Sequence, residues 1–367
     1  MDGTDVDRER ESRARQGCRR WLSGAPGRTM REWLADLAAD PVAAGFPDRY
    51  GQGEAIGVLE ARVAGLLGKP AGVFVIKGVI AQQAALRVWT ERAGRPSVAL
   101  HPRCHLDHDE AGGYERLHGL RPVRLGDVAP FTATDLDGVT ESLGAVTVEL
   151  PLRRAGFRLT GWDDLVAIST WCRDRSVPFH LDGARLWESA PYYGRPLAEI
   201  AALADSVYVS FYKGLGGLAG CVLAGPEDFV AAVRPWIVRQ GGSVYTAFPY
   251  VLAAERGLAA NLPRMAKDHR RAVSLAGALA GLPGASVAPD PPHTNAFQLY
   301  LPADPIRLAA ANLALAESES VWLFSSFTAC PVPGLAMAEV QVGEATDAFT
   351  DPEVVTLVAH LLTAATR

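Results

Sequence analysis

The chain has 367 residues, a net charge of −5 and 49% apolar residues. That length and apolar content give material for more than one compact unit, and the mild charge argues against a surface built for nucleic acid. None of the five cysteines sits in a Cys-x-x-Cys pair, and no apolar run reaches the roughly 20 residues of a membrane span, so a disulfide framework, a zinc knuckle and a transmembrane protein are set aside.

Taken in chain order, residues 1–45 read as an N-terminal arm. Its first part, Met1 to Arg20, mixes both charge signs and has no apolar h-region, so it is expected to be loose and not a signal peptide. Residues 46–255 are expected to form a large domain. Its strand-like runs are Gly72–Ile76, Val98–Leu100, Pro122–Leu125, Val146–Leu150, Pro178–Leu181, Val207–Phe211 and Cys221–Ala224. Helix-length segments such as Val79–Ala93, Trp162–Arg175 and Leu197–Leu203 lie between them. This alternation predicts an α/β fold: a mostly parallel seven-stranded sheet sandwiched by helices. From 256 to 367 a smaller α+β domain is expected, with strands at Phe297–Leu301, Val321–Phe324 and Ala338–Val342.

Open parallel sheets bind ligands at the carboxyl ends of their strands, so the residues just past each strand carry the most information. Asp205-Ser-Val-Tyr-Val-Ser-Phe-Tyr-Lys213-Gly-Leu-Gly runs a buried strand into a lysine and then glycines. A partly desolvated lysine has a depressed pKa and a free amine for imine formation, and glycines let backbone approach a flat ring. The same segment also reads as an ordinary strand-end lysine in a glycine turn. In Val177-Pro-Phe-His-Leu-Asp182-Gly-Ala-Arg185, a strand ends in an aspartate with an arginine close behind. Such a carboxylate can keep a pyridine nitrogen protonated; it can equally cap the next helix.

The pair His180-Leu-Asp-Gly-Ala-Arg-Leu186 and Ser210-Phe-Tyr-Lys-Gly-Leu-Gly216 resembles the low-specificity threonine aldolases. These belong to the β-eliminating lyases among the fold-type I enzymes dependent on pyridoxal 5′-phosphate (PLP). The resemblance runs from about Ser23 to the C-terminus. It implies that Lys213 forms the Schiff base, that Asp182 pairs with the pyridinium and that Arg185 binds the substrate carboxylate. It makes His105 the histidine that stacks on the cofactor ring and can shuttle protons. Phe74-Val-Ile-Lys77-Gly78-Val79 becomes the strand-to-helix turn that holds the phosphate. Ser23 is implied near the carboxylate or phosphate. Tyr50, and the loop Arg239-Gln-Gly-Gly242, are implied to be supplied by a neighbouring subunit. The partners implied are a small amino-acid substrate and a second copy of the chain, in a cytoplasmic homodimer or homotetramer.

Three positions depart from the family pattern. Val79 stands where a hydroxyl residue is usual, with Lys77 as a replacement charge. Glu149-Leu-Pro-Leu-Arg-Arg154 lacks the histidine that contacts the substrate β-hydroxyl. Glu339 stands near the place of a carboxylate-binding arginine, and a glutamate there repels anions. The missing histidine and Glu339 imply a substrate bulkier or differently charged than threonine. The expected activity is cleavage of a β-hydroxy or other β-substituted amino acid. β-Elimination, amino-acid racemisation and PLP binding without turnover are the alternatives. His101, Cys104, His105, Asp107, His108 and Asp109 crowd together without a regular metal spacing, and one stacking histidine among surface polar groups is expected there instead of a metal.

Overall fold

The computed structural model describes residues 3–25 and 27–366. The chain divides into two compact units, one of residues 31–265 and one joining 1–30 to 266–367.

In residues 31–265 every strand-like run becomes a strand of a single sheet. The strands are β2 (Ala71–Val75), β3 (Ser97–Leu100), β4 (Arg121–Arg124), β5 (Leu143–Glu149), β6 (Phe179–Gly183), β7 (Ser206–Ser210) and β8 (Cys221–Gly225), counting the short Arg20–Trp21 of the other unit as β1. Their order is β2-β8-β7-β6-β5-β3-β4. Neighbours from β4 through β7 are parallel, and only β8 runs antiparallel to both of its partners. β6, β7 and β8 are buried at every residue, as strands covered on both faces must be.

One face packs against helices Glu54–Leu66, Trp162–Asp174 and Phe248–Ala260 through residues such as Leu59, Ile168 and Val251. The other packs against Gly78–Ala93 and Glu227–Arg239 through Leu86, Trp89, Phe229 and Val233. A buried polar chain locks Gly78–Ala93 to the sheet. The Gln82 carbonyl lies 2.6 Å from His180 Nε2, His180 Nδ1 lies 2.8 Å from Ser206 Oγ, and the Trp89 indole N–H donates to Ser206 Oγ at 2.8 Å. Burial pushes the His180 pKa down to about 3, so its ring is neutral. A carbonyl oxygen can only accept; Nε2 therefore carries the proton and Nδ1 accepts from the serine.

The second unit holds the antiparallel sheet β12-β13-β10-β9, built from β9 (Ser286–Ala288), β10 (Ala296–Leu301), β12 (Thr328–Ala329) and β13 (Ala336–Gln341). Its core includes Leu279, Phe297, Leu308, Val340 and Val358. The strand β11 (Val321–Trp322) stops two residues short of the expected run, since its partner β1 is itself only two residues long. The N-terminal segment is not the loose arm its charge suggested. Residues Gly3–Gly17 are helical, Arg10 donates twice to Glu317 at 2.7 Å, and the Arg15 guanidinium lies 5.0 Å from the Trp21 ring. Among the described residues no helix is long and apolar enough to cross a membrane.

Gly144 is the tightest point in the large sheet. Between Ser97 and Val98 the β3–β5 register slips, so that Leu143 and Ala145 pair with consecutive residues and Gly144 bulges. A Cβ at 144 would lie 2.0 Å from the Arg95 carbonyl oxygen, a backbone atom that cannot swing aside. Gly144→Ala should therefore lower the melting midpoint by roughly 5 °C or more, reflecting about 2 kcal/mol of strain. A calorimetric scan showing an unchanged midpoint would mean the bulge accepts a side chain.

Candidate active site

β2, β3, β5, β6 and β7 all point their carboxyl ends to one edge of the sheet, because β2 and β7 are each antiparallel to β8 between them. The register there sets Glu149 beside Asp182 and Asp182 beside Tyr208. Lys213 follows β7, His105 follows β3, and Gly78 follows β2. Together they wall a cleft of about 550 Å³, closed further by Val79, Gln82, Arg153, Arg154, Arg185 and Tyr212.

The electrostatics of this cleft follow from burial. Asp182 is 5% exposed, and its Oδ1 accepts from the Ala184 N–H at 3.1 Å. Burial raises its pKa, while the charges of His105 and Lys213 pull the other way. The neighbouring Glu149 carboxyl is pushed up to about 7, first by burial and then by Asp182. Backbone N–H groups of His105, at 2.7 Å, and Arg153, at 3.4 Å, oppose that rise. Burial, helped by the Arg185 charge, pulls the Lys213 ammonium down to about 8. The His105 ring bonds to Glu110 at 3.0 Å, which raises its pKa above the ordinary imidazole value.

Arg185 sits at the start of helix Leu186–Tyr193, and its guanidinium carbon lies 5.4 Å from the Phe157 ring centroid. Its buried Nε has no hydrogen-bond partner. Glu188, in the first turn of the same helix, accepts from the Gly214 N–H at 2.9 Å. This ties the helix to the turn that follows Lys213.

The amino end of helix Gly78–Ala93 is bare. Lys77 is its N-cap residue and makes no side-chain cap. A Cβ on Gly78 would lie 2.1 Å from the Tyr208 hydroxyl, so only glycine lets the first helical turn sit over that phenol. The result is a backbone cradle at a helix N-terminus, where an anion is favoured by the N–H groups and the helix dipole. A buried acid and a half-buried amine in one cleft, with an anion cradle beside them and an orphaned arginine nitrogen, fit a phosphorylated pyridine aldehyde and an amino acid.

Of the residues singled out from the sequence, Lys213, Asp182, His105, Gly78, Val79 and Arg185 meet in this cleft. The exposed Lys77 stands beside it, its ammonium 5.7 Å from the Tyr212 ring. Tyr50 is elsewhere: with Phe74 and Gly242 it lines a second cleft of about 700 Å³, and the glycine-rich loop shares that location. Ser23 and Glu339 belong to the other unit. There Ser23 Oγ donates to the Glu339 carbonyl at 3.2 Å and accepts from the Gln341 N–H at 2.8 Å. Among the described residues no three His, Cys, Asp or Glu side chains are grouped to hold a metal. In the polar cluster Asp107 is forked by Arg124 at 2.8 and 2.9 Å, and Asp109 accepts from Arg154 at 2.7 Å. Sequence reasoning placed Tyr208 among core and pocket-wall aromatics and gave Glu149, Glu110 and Glu188 no role. Glu149 was accessible by asking which polar side chains end a buried strand; Glu110 and Glu188 needed the fold.

A family model of the beta-eliminating lyases matches residues 29–303. A solved structure described as a putative L-allo-threonine aldolase from Listeria monocytogenes is 32% identical with a TM-score of 0.91, covering 97% of this chain and 99% of its own. "Aldolase vrtJ" of Penicillium aethiopicum is 33% identical over 62% of this chain, and the match spans only 60% of that protein's length. "Low-specificity L-threonine aldolase 1" of Arabidopsis thaliana is 26% identical, over 78% of this chain and 81% of its own.

The Glu149 carboxyl gives a pH signature with a definite sign. Its folded pKa of about 7 exceeds the ordinary 4.5, so between those values the folded state binds the extra proton. The stabilisation is complete below pH 4.5 and is lost as pH rises through 7. Glu149→Gln removes this dependence, so relative to the unsubstituted protein it should gain stability at pH 8 over pH 5. Denaturant midpoints at the two pH values measure it, and parallel shifts in both proteins would contradict it.

Proposed function

The chain belongs to the beta-eliminating lyase family of PLP-dependent enzymes, and we propose that it is an aldehyde-lyase cleaving a β-hydroxy amino acid, with Lys213 holding the cofactor's aldehyde carbon as a Schiff base. The observation that carries this reading is the Lys213 amine, drawn down to about 8 by burial and facing a buried carboxyl. Near neutral pH such an amine is a nucleophile and a base, which an exposed lysine is not.

Asp182 would hold the ring nitrogen's proton, since a buried carboxylate is stable only opposite a cation. The cradle at Gly78 and Val79 would take the phosphate, with Lys77 as a nearby charge. When bound, the cofactor draws the electrons of a broken Cα bond into its ring. Arg185 binds and orients the substrate carboxylate. That orientation decides which Cα bond stands perpendicular to the ring, and positioning of this kind is worth several kcal/mol, on the order of 7–11 at most. His105 takes the proton of the β-hydroxyl as the Cα–Cβ bond breaks, and Lys213 Nζ gives a proton to Cα, leaving glycine.

Tyr50 is 64% exposed, and with the Arg239–Gly242 loop it is assigned to a neighbouring subunit's site, in a homodimer or homotetramer. The free cysteines support a reducing, cytoplasmic setting. A second reading is favoured by the missing histidine after Glu149: if the Cα–H bond is broken instead, the protein eliminates or racemises.

Incubation with β-hydroxy amino acids should release glycine and an aldehyde. Pyruvate with ammonia would replace that reading by elimination, and loss of optical activity alone by racemisation. Arg185→Leu should lower kcat/KM by roughly 10- to 150-fold, the 1.5–3 kcal/mol of a hydrogen bond to a charged group. Unchanged kcat/KM would remove Arg185 from carboxylate binding.

A further inference from the structure

Glu110 stands outside the residues so far given a function. Its side chain is only 1% exposed, at the end of the loop that begins with His105. One oxygen meets His105 Nδ1 at 3.0 Å, and the other accepts from the Gln83 amide at 2.9 Å. Gln83 is itself buried, on helix Gly78–Ala93, and Gly113 leaves the room its amide occupies. A Cβ on Gly113 would lie 2.5 Å from Gln83 Nε2, and the amide could retreat only by releasing Glu110. The series Gln83, Glu110, His105 thus connects that helix to an imidazole on the wall of the cleft.

We propose that Glu110 is a positioning residue that holds His105 with Nδ1 as the donor, so that Nε2 is the nitrogen that takes and returns the substrate's proton. This deepens the reading above, and it rests on that reading for the identity of the proton. A carboxylate on one imidazole nitrogen fixes the tautomer and ring orientation and stabilises the charged ring. A carboxylate accepts only, so Nδ1 must donate; the free nitrogen is then the basic one. The other charges facing His105 are Asp182 and Glu149 at the strand ends, Asp109 on its own loop, and Lys213. Asp182 and Glu149 answer to the cofactor and to each other, which leaves Glu110 as the carboxylate bonded to the ring itself. Glu110 holds the imidazole through one oxygen while Gln83 keeps the other from rotating away.

The test is the His105 titration midpoint, read by nitrogen-15 imidazole NMR of the cofactor-loaded protein and assigned by the signal lost in His105→Asn. Glu110→Gln keeps an oxygen acceptor and removes the charge. It should lower the midpoint by about one unit or more, the usual effect of losing an adjacent opposite charge. With a turned-over β-hydroxy amino acid it should lower kcat at least tenfold, leave KM within about twofold and move one limb of the pH profile by the same amount as the midpoint. Glu110→Asp keeps the charge one methylene further back; it should fall between the two on each readout, and it carries the test if the glutamine variant does not fold. An unmoved midpoint, or a moved midpoint with unchanged kcat and pH profile, overturns the proposal. If the unsubstituted protein turns over no β-hydroxy amino acid, the reading of function fails instead, and the midpoint still decides whether Glu110 governs His105.

Discussion

A half-buried amine just past one strand and a buried carboxyl near the end of the parallel strand beside it share one cleft, and the remaining features of the site answer to that pairing. Asp182 lies near the end of β6, and Lys213 lies three residues past the adjacent parallel strand β7. Each is destabilised in its charged form by burial and restored by the other's charge. A ligand that carries a protonated ring nitrogen and an electrophilic carbon satisfies both at once. Glu149, beside Asp182, is pushed up to about 7, first by burial and then by the neighbouring carboxyl.

The scaffold pays for this through uncharged polar contacts. His180, Gln82, Ser206 and Trp89 form a buried chain of hydrogen bonds. It joins β6, β7 and helix Gly78–Ala93, the three elements that carry the acid, the amine and the anion cradle. A one-residue slip in any of them would leave buried polar groups unpaired, so the network specifies the register on which the site depends.

Much of this was legible in the sequence because each strand of the large sheet is a short apolar run bounded by turn residues. Parallel packing makes such runs continuous, and the functional residues fall at their ends. Lys213, Asp182, Arg185, His105 and Gly78 could be named on that ground together with the family resemblance. The partners that tune them could not. Glu110 meets His105 only because the loop turns back, and Glu188 reaches the Gly214 amide only after a helix has packed. The N-terminal helix was missed because its residues are polar all round; it is held by Glu317, Trp21 and Trp322, which are distant in sequence or outside its own span. Tyr50 shows the remaining limit: one chain places it in a second cleft, and its assignment to a neighbour's site is a matter of assembly.

The central claim is that Lys213 is the amine that binds the cofactor. Purified protein loaded with PLP, reduced with borohydride, digested and sequenced by mass spectrometry tests it directly. A single reduced pyridoxyl adduct on the peptide carrying Lys213 is the result predicted. Label on Lys77, Lys69 or Lys267 with Lys213 unmodified, or no adduct at all, would contradict the account.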